Sequence, residues 1–124
     1  MPAHQSNPGH PITITPAATR LRVLWNGKVV AETSRALDLK EASYPVVHYI
    51  PREDADMALF ERTARSTHCP FKGDASYFTL RDGAATADNA VWTYETPFPA
   101  AKEIAGHLAF YPDKVTFEEV DLSA

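Results

Sequence analysis

The chain has a single cysteine, Cys69. No internal disulfide can form from it, and no four-cysteine zinc site can be built. The five histidines, at positions 4, 10, 48, 68 and 107, form no i, i+4 pair and no HExxH pattern, so a histidine metal site is not expected either. No apolar run approaches the roughly 18 residues that a membrane helix needs. Residues 1–16 contain Pro2, Pro8, Pro11 and Pro16 but no basic stretch leading into an apolar one, which argues against a secretory signal and for a cytoplasmic location. Basic residues are scarce and scattered: twelve Lys and Arg stand against sixteen Asp and Glu, for a net charge of −4. A nucleic-acid footprint would need them clustered on one face. Internal repeats and low-complexity segments are missing as well. From these absences no metal, cofactor, nucleic-acid or membrane partner is expected.

What remains is the composition of an ordinary globular protein, 44% hydrophobic and 23% charged over 124 residues. That length fits one domain burying roughly 65% of its unfolded surface. Residues 1–16 read as an extended or partly disordered arm, with Ile12 and Ile14 able to lie along a sheet edge. Residues 17–124 read as a single β-rich domain. Its firmest signal is RLRVLW-NG-KVVAET. Leu21, Val23 and Trp25 alternate onto one face, and Asn26-Gly27 suits the positive φ angles of a type I′ hairpin turn. SRALDLKE and PVVHYI follow as third and fourth strands, the latter rich in β-branched and aromatic residues.

REDADMALFERT, after Pro51, reads as a helix of about two turns with acids in its first turn. DASYFTL and NAVWTYE read as strands about an Asp82-Gly83 turn. Ala101, Ile104, Ala105 and Leu108 fall at i, i+3, i+4 and i+7, which predicts a second short helix between Pro99 and Gly106. LAFY and KVTFEEV close the chain as a hairpin. The expected fold is mostly β: a small, rolled or barrel-like antiparallel sheet with two short helices.

Several residues offer chemistry. Cys69 is a candidate nucleophile if His68, Lys72 or His48 draws its proton away, and otherwise a small buried hydrophobe. Lys72-Gly73 reverses the order of a phosphate-binding P-loop and precedes a strand, so only an ammonium and turn N–H groups are on offer to an anion. Arg52 could fork onto a carboxylate or phosphate, while Glu53 and Asp54 read as helix caps. Asp54-Ala55-Asp56 has the spacing of a two-magnesium D-x-D pair. On a helix, however, i and i+2 diverge by about 200°, so metal binding is not expected there. Tyr77, Trp92 and Tyr94 sit on strands, with Tyr49, Phe71, Phe78, Phe110 and Tyr111 in or beside others. Aromatic walls with a few polar points, Lys72, Arg52 and Glu41, make the usual lining of a small-ligand site.

Four stretches, LWNGKVVAETSRALDLKEASYPVVHYIPRED, CPFKGDASYF, AVWTYETP and GHLAFYPDKV, together resemble the domain-of-unknown-function family 427, also labelled nucleotidyltransferase-like. The likeness runs from about Pro11 to Val120, with Ala55 where the family usually has valine. It implies a compact β-rich domain similar to the β-tent folds of zinc-containing sulfoxide reductases and thalidomide-binding domains. Those relatives often hold zinc through paired CxxC motifs, which a chain with only Cys69 lacks. The motif positions matched here are Glu41, Tyr49, Pro51, Arg52, Glu53, Asp54, Cys69, Pro70, Lys72, Gly73, Tyr77, Trp92, Tyr94, Phe110 and Tyr111. The resemblance brings no settled activity with it.

The leading expectation is a polar-aromatic pocket for a small anionic metabolite. Cys69 and Lys72 would form its floor, Arg52 and Glu41 its polar contacts, and Tyr49, Tyr77, Trp92 and Tyr94 its walls. An enzyme using the same pocket for group transfer or hydrolysis, and a peptide-reading interaction module, are the alternatives.

Overall fold

The structure, a computed structural model, describes residues 11–121. His4, His10 and the first ten residues of the expected arm lie outside that range.

The NG hairpin forms as its pattern predicts. Strands β2 (Thr19–Trp25) and β3 (Lys28–Thr33) pair antiparallel with Trp25 opposite Lys28. Asn26 and Gly27 take φ of 52° and 75°, the left-handed pair that a type I′ turn demands. Leu21, Val23 and Trp25 all point into the core. Among the described residues ten strands are distributed over three antiparallel sheets. Strand β10 (Thr116–Asp121) flanks β2, giving the order β10-β2-β3. A second sheet holds β1 (Ile12–Pro16), β4 (Leu37–Glu41) and β5 (Val47–Tyr49). The third is the meander β6 (Phe60–Cys69), β7 (Gly73–Asp82), β8 (Ala85–Thr93) and β9 (Leu108–Phe110). The fold is thus mostly β and antiparallel, as expected, in three sheets rather than one closed barrel. A single bridge, Ile50–Leu108, ties the end of β5 to β9, and another, Ala31–Ala55, ties β3 to the chain after β5.

The meander is the middle layer. Because successive strand side chains face opposite ways, Phe78, Leu80, Val91 and Phe110 enter one core with the hairpin residues. Tyr77, Tyr94 and Ala109 enter a second, with Leu39, Tyr49 and Ile104. Both faces are covered, so the alternation on β7 and β8 separates the wholly apolar Phe78, Leu80 and Val91 from the polar-tipped Tyr77 and Trp92 rather than buried from exposed.

Neither expected helix is an α-helix. REDADMALFERT forms two 3₁₀ turns, Arg52–Asp54 and Met57–Leu59, separated by Ala55, whose extended backbone (φ −112°, ψ 149°) bridges to Ala31. From Phe60 the chain is strand β6, recruited by pairing with β7 from Phe60–Leu80 to Cys69–Gly73. The second expected helix is a pair of 3₁₀ turns within Pro99–Ile104, broken at Ala101, whose φ of −122° and ψ of 22° are not helical. Its buried residues are Ala101 and Ile104. Leu108, the last member of the predicted stripe, belongs to β9. The expected caps are also absent: Asp54 instead accepts from Thr33 Oγ1 at 2.6 Å and from Arg35 Nη2 at 3.0 Å. Those contacts hold its carboxyl below the ordinary carboxylate range, the Thr33 hydroxyl contributing most. Nor is the end of the chain a hairpin, since β9 pairs with β8 and β10 crosses to β2. Among the described residues no helix is long and apolar enough to cross a membrane.

A Cβ at Gly27 would meet nothing within 4 Å, so substitution there tests backbone conformation alone. Gly27→Val should lower stability by about 1 kcal/mol or more, because a β-branched residue at positive φ is strained. Chemical denaturation measures it, and an unchanged midpoint would contradict the turn assignment.

Candidate functional site

The turn between β6 and β7 sets the floor of the site. Pro70 and Phe71 carry the chain round, and Gly73 opens β7 at φ 114°. A Cβ there would meet the 96–98 backbone at ordinary van der Waals distance, but the φ is one that L residues rarely adopt. Phe98 N–H donates to Lys72 O at 2.9 Å, tying the turn to that same segment. Held this way, Lys72 is buried and its ammonium donates to Glu41, at the end of β4. The two side chains are only 11% and 12% exposed. The Lys72 Nζ also lies 5.9 Å from the centre of the Tyr94 ring, within cation–π reach.

Above this ion pair opens a cleft of about 220 Å³. All five tyrosines of the chain line it: Tyr44, Tyr49, Tyr77, Tyr94 and Tyr111. They come from the loop after β4, from β5, from β7, and from just beyond β8 and β9. Trp92 joins them, tilted at 49° against Tyr111 with 4.6 Å between ring centres and donating its indole N–H to Tyr49 OH at 3.3 Å. The phenols are hydrogen-bonded to one another as well. Tyr77 OH lies 2.9 Å from Thr67 Oγ1 and 3.5 Å from Tyr111 OH, and the Arg65 guanidinium sits 4.9 Å over the Tyr77 ring.

Of the residues singled out by sequence, Glu41, Tyr49, Lys72, Tyr77, Trp92 and Tyr94 do meet in this cleft. Two do not. Arg52 reaches Glu95 at 3.4 Å and lies 5.5 Å over Phe78. Phe78 follows Tyr77 in β7 and points to the opposite face, so Arg52 is on the wrong side of the central sheet. Cys69 is half-buried beside the second core rather than on the cleft wall. The groups expected to activate its thiol have other partners: His68 with Asp74 at 2.7 Å, His48 with Asp38 at 2.6 Å, and Lys72 with Glu41. Asp54, with its Thr33 and Arg35 contacts, is a structural link between β3 and the turn. Among the described residues no group of three or more His, Cys, Asp and Glu could hold a metal ion.

Sequence reasoning left Tyr44, Thr67 and Arg65 out. Tyr44 lies in a loop without periodicity, and Arg65 and Thr67 belong to β6, whose polar composition concealed a strand. Tyr111 was visible only as part of the LAFYPD motif, with no pattern to aim it.

Burial pushes the phenols of Tyr49 and Tyr94 well above their ordinary value. It also pushes Tyr111 up to about 12, assisted by its contact with Tyr77. At Tyr77 burial acts in the same direction, but the hydrogen bonds to Thr67 and Tyr111 and the Arg65 charge outweigh it and leave that phenol below normal. For the three raised groups the neutral form is favoured on folding. Their contribution to stability is therefore complete below the unfolded value of about 10 and is lost as pH climbs through the folded values. Ultraviolet titration at about pH 11 should then show fewer ionised phenols in native protein than in denaturant. Five ionised in the native state would contradict this account.

Comparison with curated proteins gave no match. The family model described as "Domain of unknown function (DUF427)" matches residues 13–121, a span that takes in the hairpin, the clamped turn and every residue of the cleft. The chain therefore belongs to the DUF427 family.

Proposed function

We propose that the tyrosine-lined cleft binds a small, ring-bearing polar molecule. The observation that carries this reading is the convergence of every tyrosine and Trp92 on a buried Lys72–Glu41 pair. A Lys72 standing alone would suit an anion. Beside Glu41 it presents a donor next to an acceptor, with no net charge between them. The complementary ligand edge carries an acceptor and a donor side by side, as an amide or a zwitterion does. This replaces the anionic metabolite expected from sequence by a neutral or zwitterionic one that brings a donor as well as an acceptor. Trp92 and the phenol faces suit a flat ring, and their hydroxyls supply further hydrogen bonds. The separate partners of His68, His48 and Lys72 favour binding over thiol-based group transfer.

Benzamide is a suitable probe, small enough for the cleft and carrying the required edge on a ring. A ligand of this size should bind with a dissociation constant of about 1 mM. The Trp92 indole N–H resonance should shift during titration. Lys72→Met should weaken binding about tenfold, and benzoate, which faces Glu41 with a like charge, should bind less well than benzamide. An indole resonance that stays fixed up to about ten times that concentration would remove the proposal. Tighter binding of benzoate would restore the simple anion site.

A further inference from the structure

A wider groove of about 660 Å³ adjoins the cleft and shares Glu41, Tyr44, Pro45, Val47, Lys72 and Trp92 with it. Its other walls are Val46 and His48 of the β5 region, Phe110 and Pro112 at the end of β9, and Phe117 of β10. The topology explains why it is open. Strands β5 and β9 meet at one bridge, where Ile50 and Leu108 exchange N–H···O bonds of 2.8 and 2.7 Å. A continued ladder would place His48 opposite Phe110 and Val46 opposite Pro112. The ladder stops instead, and the strands splay around an apolar gap. The one ionisable side chain added by the groove, His48, is already engaged, its Nδ1 2.6 Å from Asp38 and its ring edge-on to Phe117 at 5.4 Å.

We infer that cleft and groove form one two-compartment site for an amphipathic small molecule, a polar ring in the cleft carrying an unbranched apolar arm along the groove between β5 and β9. This rests on the ligand reading above. Continuity through the shared wall of Tyr44, Pro45, Val47 and Trp92 lets an arm on the ring pass from the cleft into the groove while the polar edge stays at the Lys72–Glu41 pair. The rims favour an alkyl arm over a visiting peptide strand. Pro45 and Pro112 flank the gap and have no N–H to give a ladder, whereas an alkyl arm asks for no hydrogen bonds. Val46, 48% exposed on the rim, is apolar surface that such an arm would cover.

The test uses the full chain with benzamide and its para-propyl, para-butyl and para-pentyl derivatives, followed by calorimetry. Affinity should rise about two- to fourfold per added methylene, the gain from burying a CH₂ group. Val46→Asp, a rim residue outside the cleft, should abolish the gain while leaving benzamide itself bound; Phe117→Ser should act in the same direction. Benzamide binding without any gain along the series would overturn the two-compartment site and leave the cleft proposal standing. A gain that survives Val46→Asp would also overturn it, since the arm would lie elsewhere. No binding by any member would overturn both readings. Displacement of benzamide by an extended Val-Tyr-Val-Tyr-Val peptide at lower concentration than para-pentylbenzamide would assign the groove to a peptide instead.

Discussion

Strands β7 and β8 are covered on both sides, and nearly everything else in the molecule follows from that. A sheet with one wet face needs only one apolar set of side chains. The central meander has to supply two, on alternate residues, and the two sets differ in kind. Phe78, Leu80 and Val91, without polar tips, meet the hairpin in one core, while Tyr77, Trp92 and Tyr94 face the β1-β4-β5 sheet. The second face buries rings that carry polar tips. Such tips cost free energy when buried without partners, and the structure meets that cost by directing them at one another and at Thr67. A cleft lined by tyrosines is the geometric result, since phenols turned toward a common centre cannot close-pack as aliphatic side chains do.

The Lys72–Glu41 pair at the base of that cleft raises a related energetic question. Removing two charges from water is expensive, and their attraction offsets the cost only when the geometry is held. The holding is done by backbone: the Phe98–Lys72 hydrogen bond and the positive φ of Gly73 fix the turn before the side chain is placed. Removal of either partner would leave a largely buried, uncompensated charge, which typically costs about 3–5 kcal/mol. A pair of this kind contributes little net stability over a well-packed apolar pair. Its presence at the floor of a cleft is better understood as a recognition feature, one donor and one acceptor at fixed spacing.

Local chemistry made a good deal of this legible. Asn26-Gly27 announces a hairpin because few dipeptides tolerate two positive φ angles in succession. The alternation at Leu21, Val23 and Trp25 then sets its buried face. Strand β4 follows from Leu37 and Leu39 sharing a face, and β5, β7 and β8 from β-branched and aromatic content bounded by turns. Six of the eight proposed site residues share the cleft, because aromatic strand residues near a constrained turn are poor candidates for solvent exposure. Strand β6 escaped this reasoning for an equally physical reason. FERTARSTHC has no hydrophobic alternation, since its side chains are mostly wet, and it is a strand only because β7 offers a ladder. The two apparent helices failed because a 3.6-residue stripe is short-range information. Ala55 was claimed by a bridge to Ala31, and Leu108 by the meander.

Sequence alone thus determined the class of fold, the hairpin, the positions of the turns and the residue types from which a polar-aromatic site is made. Tertiary structure decided which of those residues meet. Whether Tyr77 or Phe78 faces the cleft depends on the parity of β7 against its neighbours, and that parity sends Arg52 to Glu95 on the far side. The strand that receives β10, the point at which β5 and β9 part, and the carboxylate that Lys72 finds are all long-range pairings. A side chain's partner thirty residues away leaves no periodic trace in its own neighbourhood. Local propensity therefore names the participants, and sheet register assembles them into a site.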